Sequence, residues 1–554
     1  LRLLGYLTDK ANAWISYYEH TPEKAHLLRA LETFTLADQL VDIIRFESTT
    51  FQSKLFWREQ SASLYMKAVK TCYRLGQPEE AFHFLEKNKA LLLLEDLTQE
   101  KAKEHAQLPF SLSEREFVLR RDIHLAEEAL TGSAPNPSLT DSLREVVYDS
   151  KRTYEQFIDS LETSFPSYHA YKQSLPLLSF DTAQAILQRD NSSLIHYLLD
   201  DEEGYGIFMN AQRQHFFQLP NVPEVHQLIT ALRTALSRPF YSVEDRESYH
   251  ELAHKLYTRL FPEDILLSET KKLTVIPDHR LHQVPFETLV SSSGSDDYLV
   301  RQLEINYAYS LSFRTENEKR HRSPANRFIG FAPIRFADTT LTDLSRSREE
   351  VAQISDWFAG DYRYEDQANK ENFMRSAKDY HMLHLSTHAN AGTSSPWIAF
   401  RADKLSLEEL YATPNEADLV VLSACNTSVG ELKVGEGVMS LARGFMRSGA
   451  RSVVSTLWSA NEKSTNTILM DFYSNLKEGE TKSAALHHAK QSYLENHSGV
   501  EASPYYWAAP VLIGNTDVLK VRPAPKWMNP FLFLLLVSFV VGLIFLVKRM
   551  RHHD

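Results

Sequence analysis

The chain has 554 residues, of which 43% are hydrophobic and 24% are charged, an ordinary balance for a globular protein. One hydrophobic core does not usually support such a length, so roughly two to four domains are expected. The formal net charge of −12 argues against a nucleic-acid-binding surface as the main feature, and no nucleic-acid partner is expected. Cys72 and Cys425, the only cysteines, lie too far apart in sequence for a CxxC metal pair.

Residues 1–100 are predicted to be entirely helical. Over residues 61–97, apolar positions recur at helical spacing on both sides of a break that carries Gly76 and Pro78. A helix, a short turn and a second helix resemble a tetratricopeptide repeat, although the full repeat consensus is absent, and generic helical packing is the alternative. Cys72 falls at an apolar position of this pattern, which predicts a buried structural thiol.

Residues 101–175 are predicted to form a helical hairpin that links two larger regions. Two amphipathic stretches lie on either side of a break at residues 132–138, which is rich in Gly, Pro, Ser and Asn. This segment is therefore interpreted as a spacer.

From about residue 176 the pattern changes to short β-rich runs separated by helical stretches. Such runs begin at 193, 205, 215 and 272, and the alternation repeats after turn signals at 322–326. Strands that alternate with helices favour an α/β domain with a largely parallel sheet. We expect this domain over residues 176–520, with an N-terminal half at 176–325 and a second half at 326–520.

Two of the β-rich runs end in reactive side chains. YHMLHLSTH ends at His388, and DLVVLSAC ends at Cys425. Functional groups collect beyond the carboxyl ends of parallel strands, and a histidine can activate a thiol by accepting its proton or stabilising the thiolate. The pattern indicates a Cys-His pair, while a small core cysteine remains the alternative.

The same segments resemble the CHAT family, caspase-like cysteine peptidases of clan CD whose members join tetratricopeptide repeats to the catalytic domain. The matching segments are LTVIPDHRLHQVPFETL from 273, LHLSTHA from 383, VVLSACNTSVG from 420, GEGVMSLARGFMRSGARSVVSTLW from 435 and SPYYWAAPVLIG from 503. The resemblance implies a three-layer αβα caspase-like domain over 176–520, in which 326–520 is the catalytic half.

The resemblance also implies roles for individual residues. His388 would be the general base and Cys425 the nucleophile, with the backbone N–H groups of Ala389 and Cys425 as the oxyanion hole. Gly435 and Gly437 are expected in the loop after the nucleophile, which borders the active site in the family. No cofactor and no metal site are expected, because His384 and His388 lie on a predicted strand and lack suitably spaced ligand partners.

The last apolar stretch, PFLFLLLVSFVVGLIFLV at 530–547, holds no charge. As a helix it would be about 27 Å long, close to the thickness of the hydrocarbon core of a bilayer. The sequence therefore predicts a transmembrane helix over 529–547 and a single-pass, C-terminally anchored membrane protein. Basic residues on both sides leave the orientation open.

Taken together, these features predict a membrane-anchored caspase-like cysteine endopeptidase that is regulated through its helical repeats. Its expected partners are a protein or peptide substrate, a protein ligand of the repeats, and the membrane. The alternatives are a non-catalytic scaffold that binds protein partners and a thioesterase or acyltransferase that uses the same Cys-His pair.

Overall fold

A computed structural model describes residues 2–520 except 48–50, 133–136, 264, 266, 268–269, 293, 295, 391–395, 425–426, 429, 434 and 460. The molecule begins with helices and continues as an α/β domain built on one large sheet.

Five helices form the N-terminal region, and each of the first four packs against its neighbour in sequence. They are α1 (Arg2–His20), α2 (Lys24–Glu47), α3 (Phe51–Leu75), α4 (Pro78–Lys87) and α5 (Leu91–His105). The prediction of an all-helical region is confirmed. Cys72 is fully buried on α3, and burial raises the pKa of its thiol, as expected for a structural cysteine.

Three helices follow as the connecting region. They are α6 (Phe110–Gly132), α7 (Pro137–Ser164) and α8 (Pro166–Gln173). The first two pack along each other as a hairpin, and α8 packs back on α5. Leu119, Tyr154 and Ile158 form a small apolar core between the two long helices.

The first part of the α/β region contains five strands. Its elements are α9 (Phe180–Asp190), β1 (Ser193–Leu199), β2 (Gly204–Met209), β3 (Gln214–Gln218), α10 (Val222–Ala235), α11 (Val243–Leu260), β4 (Lys272–Ile276), β5 (Glu304–Tyr307) and α12 (Leu311–Glu318). Every residue of β1 and β2 is buried, which is typical of strands covered on both faces.

The second part carries the remaining strands. Its elements are β6 (Asn326–Ala332), α13 (Ser347–Phe358), β7 (Asp361–Tyr364), α14 (Lys370–Ser376), β8 (Tyr380–Ser386), β9 (Ala389–Asn390), β10 (Trp397–Ala399), β11 (Lys404–Ser406), α15 (Leu407–Tyr411), β12 (Leu419–Ser423), β13 (Glu431–Lys433), β14 (Gly437–Met439), α16 (Leu441–Arg447), β15 (Ser452–Thr456), α17 (Glu462–Lys477), α18 (Lys482–Asn496), α19 (Pro504–Trp507) and β16 (Pro510–Gly514).

The two parts share one 11-stranded sheet in the order β3-β2-β1-β4-β5-β16-β15-β12-β8-β6-β7. The last strand, β16, joins them, because it pairs in parallel with β5 and antiparallel with β15. Strands β1, β4 and β5 therefore run opposite to β15, β12, β8 and β6, which are parallel to one another. Because the two groups of strands run in opposite directions, their carboxyl ends face opposite sides of the sheet along the strand direction.

Helices cover both faces of the sheet. On β6, a Cβ at Gly330 would lie 2.8 Å from Val351 of α13, while the ring of Phe331 contacts Phe373 of α14 at 5.6 Å between centroids. Successive residues of a strand point to opposite faces. The α/β character and the three-layer arrangement thus agree with expectation.

The membrane part of the predicted fold class is corrected. Among the residues that the structure describes, no helix combines the length and the apolar character needed to cross a bilayer. The predicted fold class with a transmembrane helix, and the membrane localisation drawn from it, are therefore unsupported. The segment on which both rested, 529–547, lies outside the described residues.

Candidate active site

The two strands with reactive ends, β8 and β12, are direct neighbours in the sheet. They pair in parallel with Leu385 opposite Leu422 and Ser386 opposite Ser423. Both strands are almost entirely buried, because their apolar residues pack into the core on both faces. The intervening run at 397–399 belongs to a separate three-stranded sheet, so it leaves β8 and β12 in contact.

His388 follows β8 by two residues and is half-buried. Its Nε2 lies 2.8 Å from the backbone carbonyl oxygen of Thr342, which can only accept, so Nε2 donates; in the neutral imidazole the lone pair is then on Nδ1. The ring of Phe336 contacts the imidazole at 5.0 Å between centroids. The loop between β6 and α13 therefore holds the ring in place. No sequence pattern indicates the contact with Thr342.

Ala389 follows His388 and opens β9, opposite Ile398 of β10. The N–H of Ala399 donates to the carbonyl oxygen of His388 at 2.8 Å, so His388 and Ala399 form a hydrogen-bonded pair. Bonded and non-bonded pairs alternate along an antiparallel ladder. The N–H of Ala389 therefore points away from β10.

Cys425 lies outside the described residues, but residues on either side of it are described. The hydroxyl of Thr456, at the end of β15, donates to the carbonyl oxygen of Ala424 at 2.6 Å. The N–H of Thr456 donates to Oγ1 of Thr427 at 2.9 Å, and Thr427 is fully buried. These bonds tie the chain before and after Cys425 to the carboxyl end of β15.

The buried carboxylate of Glu350 contacts the carboxyl ends of both strands. Glu350 of α13 accepts a hydrogen bond from the hydroxyl of Ser386 at 2.7 Å, and its other oxygen lies 3.2 Å from Nε2 of His384. Burial alone would raise the pKa of Glu350, but His384 and the hydroxyls of Ser386 and Ser423 hold it below the ordinary value. The sequence did not single out Glu350, because an acid in the first turn of a helix is common.

The loop that follows Cys425 in sequence is held by the helical region. Glu436, fully buried, lies 3.0 Å from Nε of Arg58 on α3 and 2.5 Å from Nη2 of Arg443 on α16. The N–H of Leu92, on α5, donates to the same carboxylate at 3.2 Å. The neighbouring Gly435 has a φ of +77°, and a Cβ there would lie 3.0 Å from the Arg58 guanidinium.

Residues 250–515 match the family model of the CHAT domain. The match covers just under half of the chain, and β8, β12 and the residues that follow both strands lie within it. The resemblance seen in the sequence is confirmed. The tetratricopeptide character of the N-terminal helices stays a prediction.

Solved structures give weaker likenesses. Two structures of the Saccharomyces cerevisiae separase–securin complex match with 10% identity and a TM-score of 0.40; they cover 88% and 93% of this chain and 40% and 47% of the separase-complex chain. The Arg-specific cysteine proteinase gingipain R matches with 8% identity and a TM-score of 0.31, over 53% of this chain and 75% of that chain.

This chain therefore spans less than half of the separase-complex chain that it matches. TM-scores this low carry no argument about activity. No curated protein matches the sequence.

Proposed function

We propose that this chain is a caspase-like cysteine endopeptidase in which Cys425 is the nucleophile and His388 is its base. The observation that carries the proposal is the register of β8 and β12. Ser386 and Ser423 are paired, and His388 and Cys425 each follow two residues later in the sequence. In α/β sheets, ligands bind beyond the carboxyl ends of parallel strands, which is where both residues follow.

In the proposed reaction, the thiol of Cys425 gives its proton to Nδ1 of His388, and the sulfur attacks the carbonyl carbon of a peptide bond. The imidazolium then protonates the leaving amine as the C–N bond breaks, which leaves an acyl-thioester. Water, deprotonated by the same imidazole, hydrolyses the thioester and restores the thiol. The hydrogen bond from Nε2 of His388 to Thr342 supports this assignment of the ring nitrogens.

The proposed oxyanion hole consists of the backbone N–H groups of Ala389 and Cys425. The outward direction of the Ala389 N–H, away from β10, supports its share of this role. An N–H that is fixed before the reaction stabilises the developing negative charge without reorganisation.

We also propose that the helical region regulates the peptidase through the loop at 431–440. The buried Arg58–Glu436–Arg443 contact supports this idea, because it connects α3 to that loop and to α16. A protein ligand that moves α3 would have to break this contact or move the loop together with α3. We propose, further, that the helical repeats occupy 1–100, a linker 101–175 and the peptidase domain 176–520.

The test of the dyad is cleavage of an unbiased peptide library, read by mass spectrometry. Wild type is compared with Cys425→Ala, His388→Ala and the matched control Cys72→Ala, which removes the buried thiol. We expect cleavage by wild type and by Cys72→Ala only. Cleavage by Cys425→Ala at the wild-type rate would exclude the proposed nucleophile.

If none of the four proteins cleaves, alkylation at neutral pH distinguishes an inactive peptidase from a scaffold. A Cys425 thiolate supported by His388 reacts rapidly, and His388→Ala slows the reaction. Equal alkylation rates in wild type and His388→Ala would favour the scaffold.

The regulatory proposal is tested with Arg58→Met, which leaves the dyad intact. We expect kcat/KM to fall by about tenfold, which corresponds to about 1.4 kcal/mol in the transition state. Lys70→Met is the matched control, since Lys70 lies on the same helix in a partly exposed pair with Glu203, away from this loop. Equal activity of all three proteins would contradict regulation through this contact.

A further inference from the structure

Two histidines and an aspartate meet at the far edge of the sheet from the candidate active site. Asp201 lies in the turn between β1 and β2, His226 on α10, and His279 in a 3₁₀-helix that follows β4. One potential ligand atom from each side chain lies within 4.8 Å of the other two. The three residues are far apart in sequence, so they form no recognisable sequence motif.

The distances are close to those of a metal site. Oδ1 of Asp201 lies 3.6 Å from Nε2 of His279. Ligand atoms around tetrahedral Zn²⁺, with bonds of about 2.0–2.2 Å, lie about 3.4 Å apart. The side chain of Asp201 is 81% exposed, so it can rotate to bring its carboxylate closer to the two imidazoles.

A ring nitrogen at this cluster lacks a hydrogen-bond partner. Nδ1 of His226 is buried without a partner among the described residues. His226 is 8% exposed, and its Nε2 lies 2.9 Å from the carbonyl oxygen of Asp200. A buried polar atom without a partner is costly, and a bound cation would remove that cost.

The backbone holds the ligands in position. Oδ1 of Asp200 accepts the N–H groups of Glu202 and Glu203 at 2.8 and 2.7 Å, which fixes the turn that presents Asp201. His279 has a φ of +48°. Residues other than glycine adopt this conformation at a cost and often do so at functional sites.

The geometry points to a Zn²⁺ site formed by Asp201, His226 and His279, which we propose as a structural staple of the N-terminal half of the sheet. Two imidazoles and one carboxylate are ligands that Zn²⁺ commonly takes, with water in the fourth position. The ion would join the β1–β2 turn, α10 and the segment after β4. This role is independent of peptidase activity.

The experiment uses the full chain after treatment with a chelator and removal of that chelator. Zn²⁺ affinity and stoichiometry are measured by competition with a chromophoric chelator, and the thermal unfolding midpoint is measured with and without Zn²⁺. The variants are Asp201→Asn, His226→Gln and His279→Asn; asparagine tolerates the positive φ at 279. His20→Gln, an exposed histidine on α1, is the matched control.

We expect wild type and His20→Gln to bind Zn²⁺ and to unfold at a higher temperature with it, because an ion that binds only the folded state stabilises that state. Each ligand variant should lose the site or weaken it by more than about tenfold. Adjacent histidines near the C-terminus, His552 and His553, are present in every protein and give the same background.

Two results would contradict the proposed Zn²⁺ site. One is Zn²⁺ binding by Asp201→Asn and His279→Asn that equals wild type, which would place the ion elsewhere. The other is a wild-type midpoint that Zn²⁺ does not raise. Because Asp201 is exposed, Asp201→Asn should fold normally and keeps the test decisive even if a histidine variant does not fold.

Discussion

The carboxyl ends of β1 and β4 and those of β8 and β12 are built alike but differ in how far neighbouring elements cover them. Each is a pair of neighbouring parallel strands with buried apolar residues. At the first pair, polar groups from the helical region close the strand ends with buried contacts. At the second pair, half-buried His388 follows the strand. A strand end therefore becomes a candidate catalytic site only where neighbouring elements leave it accessible.

The closure at β1 and β4 depends on one lysine. Lys89, 4% exposed, lies 2.5 Å from Oδ1 of Asp278 and donates to the carbonyl oxygen of Pro277 at 3.3 Å. Oδ2 of Asp278 accepts the N–H of Leu199 at 2.8 Å. Burial lowers the pKa of Lys89, and the charge of Asp278 opposes that shift.

The largest effect should come from removing the lysine of this closure. Lys89→Met leaves the Asp278 carboxylate buried without its cation, and the free energy of unfolding should fall by about 3–5 kcal/mol. Denaturant unfolding measures the change. Lys70→Met is the matched control, because the Lys70–Glu203 pair is about one-third exposed and should contribute at most about 1 kcal/mol. Equal losses in both variants would mean that the closure is not held by this pair.

A smaller effect is expected at the other pair of strands, from Glu350→Gln. The substitution keeps the shape but removes the charge opposite His384, and we expect a loss of about 2 kcal/mol at pH 7. Because the folded-state pKa of Glu350 is lowered, its contribution is present above the ordinary glutamate pKa of about 4.3 and is lost as pH falls through the folded value.

Unfolding curves of wild type and Glu350→Gln at pH 7, 5 and 3 measure this dependence. The difference in free energy should be the same at pH 7 and pH 5 and smaller at pH 3. A difference that grows as the pH falls would show that Glu350 is protonated in the folded protein.

The smallest effect is expected from Ser386→Ala, which removes one hydroxyl from Glu350. We expect a loss of about 1 kcal/mol in unfolding free energy, because Glu350 keeps its contact with His384. Thr340→Ala is the control, since its hydroxyl bonds to Asp338 in an exposed loop. If Ser386→Ala costs as much as Glu350→Gln, the serine rather than the histidine is the main partner of the carboxylate.

Much of the fold could be predicted from local pattern. The apolar runs that begin at 193, 205, 215 and 272 correspond to strands, and the runs that end in His388 and Cys425 correspond to β8 and β12. Periodicity and turn residues act over a few positions, so the sequence displays them directly. Strand β10 lies between β8 and β12 in sequence but belongs to a second sheet, and local pattern does not show such a placement.

The candidate site was predicted only in part, because local pattern does not show contacts between distant parts of the chain. His388 and Cys425 lie within recognisable segments, whereas the partners of His388 and of the strand ends come from distant elements. Thr342, Glu350 and Glu436 have ordinary sequence surroundings, and their roles follow from contacts across the chain. The cluster of Asp201, His226 and His279 is a further example.

Local spacing and recognisable segments were enough to predict the helical N-terminal region, the α/β region and the two strands that precede His388 and Cys425. Three features became visible only in the folded chain: β8 and β12 are neighbours, β16 joins the two parts of the sheet, and α3 contacts the loop that follows Cys425 in sequence. Those features arise from pairing and burial between residues far apart in sequence, which no local pattern encodes.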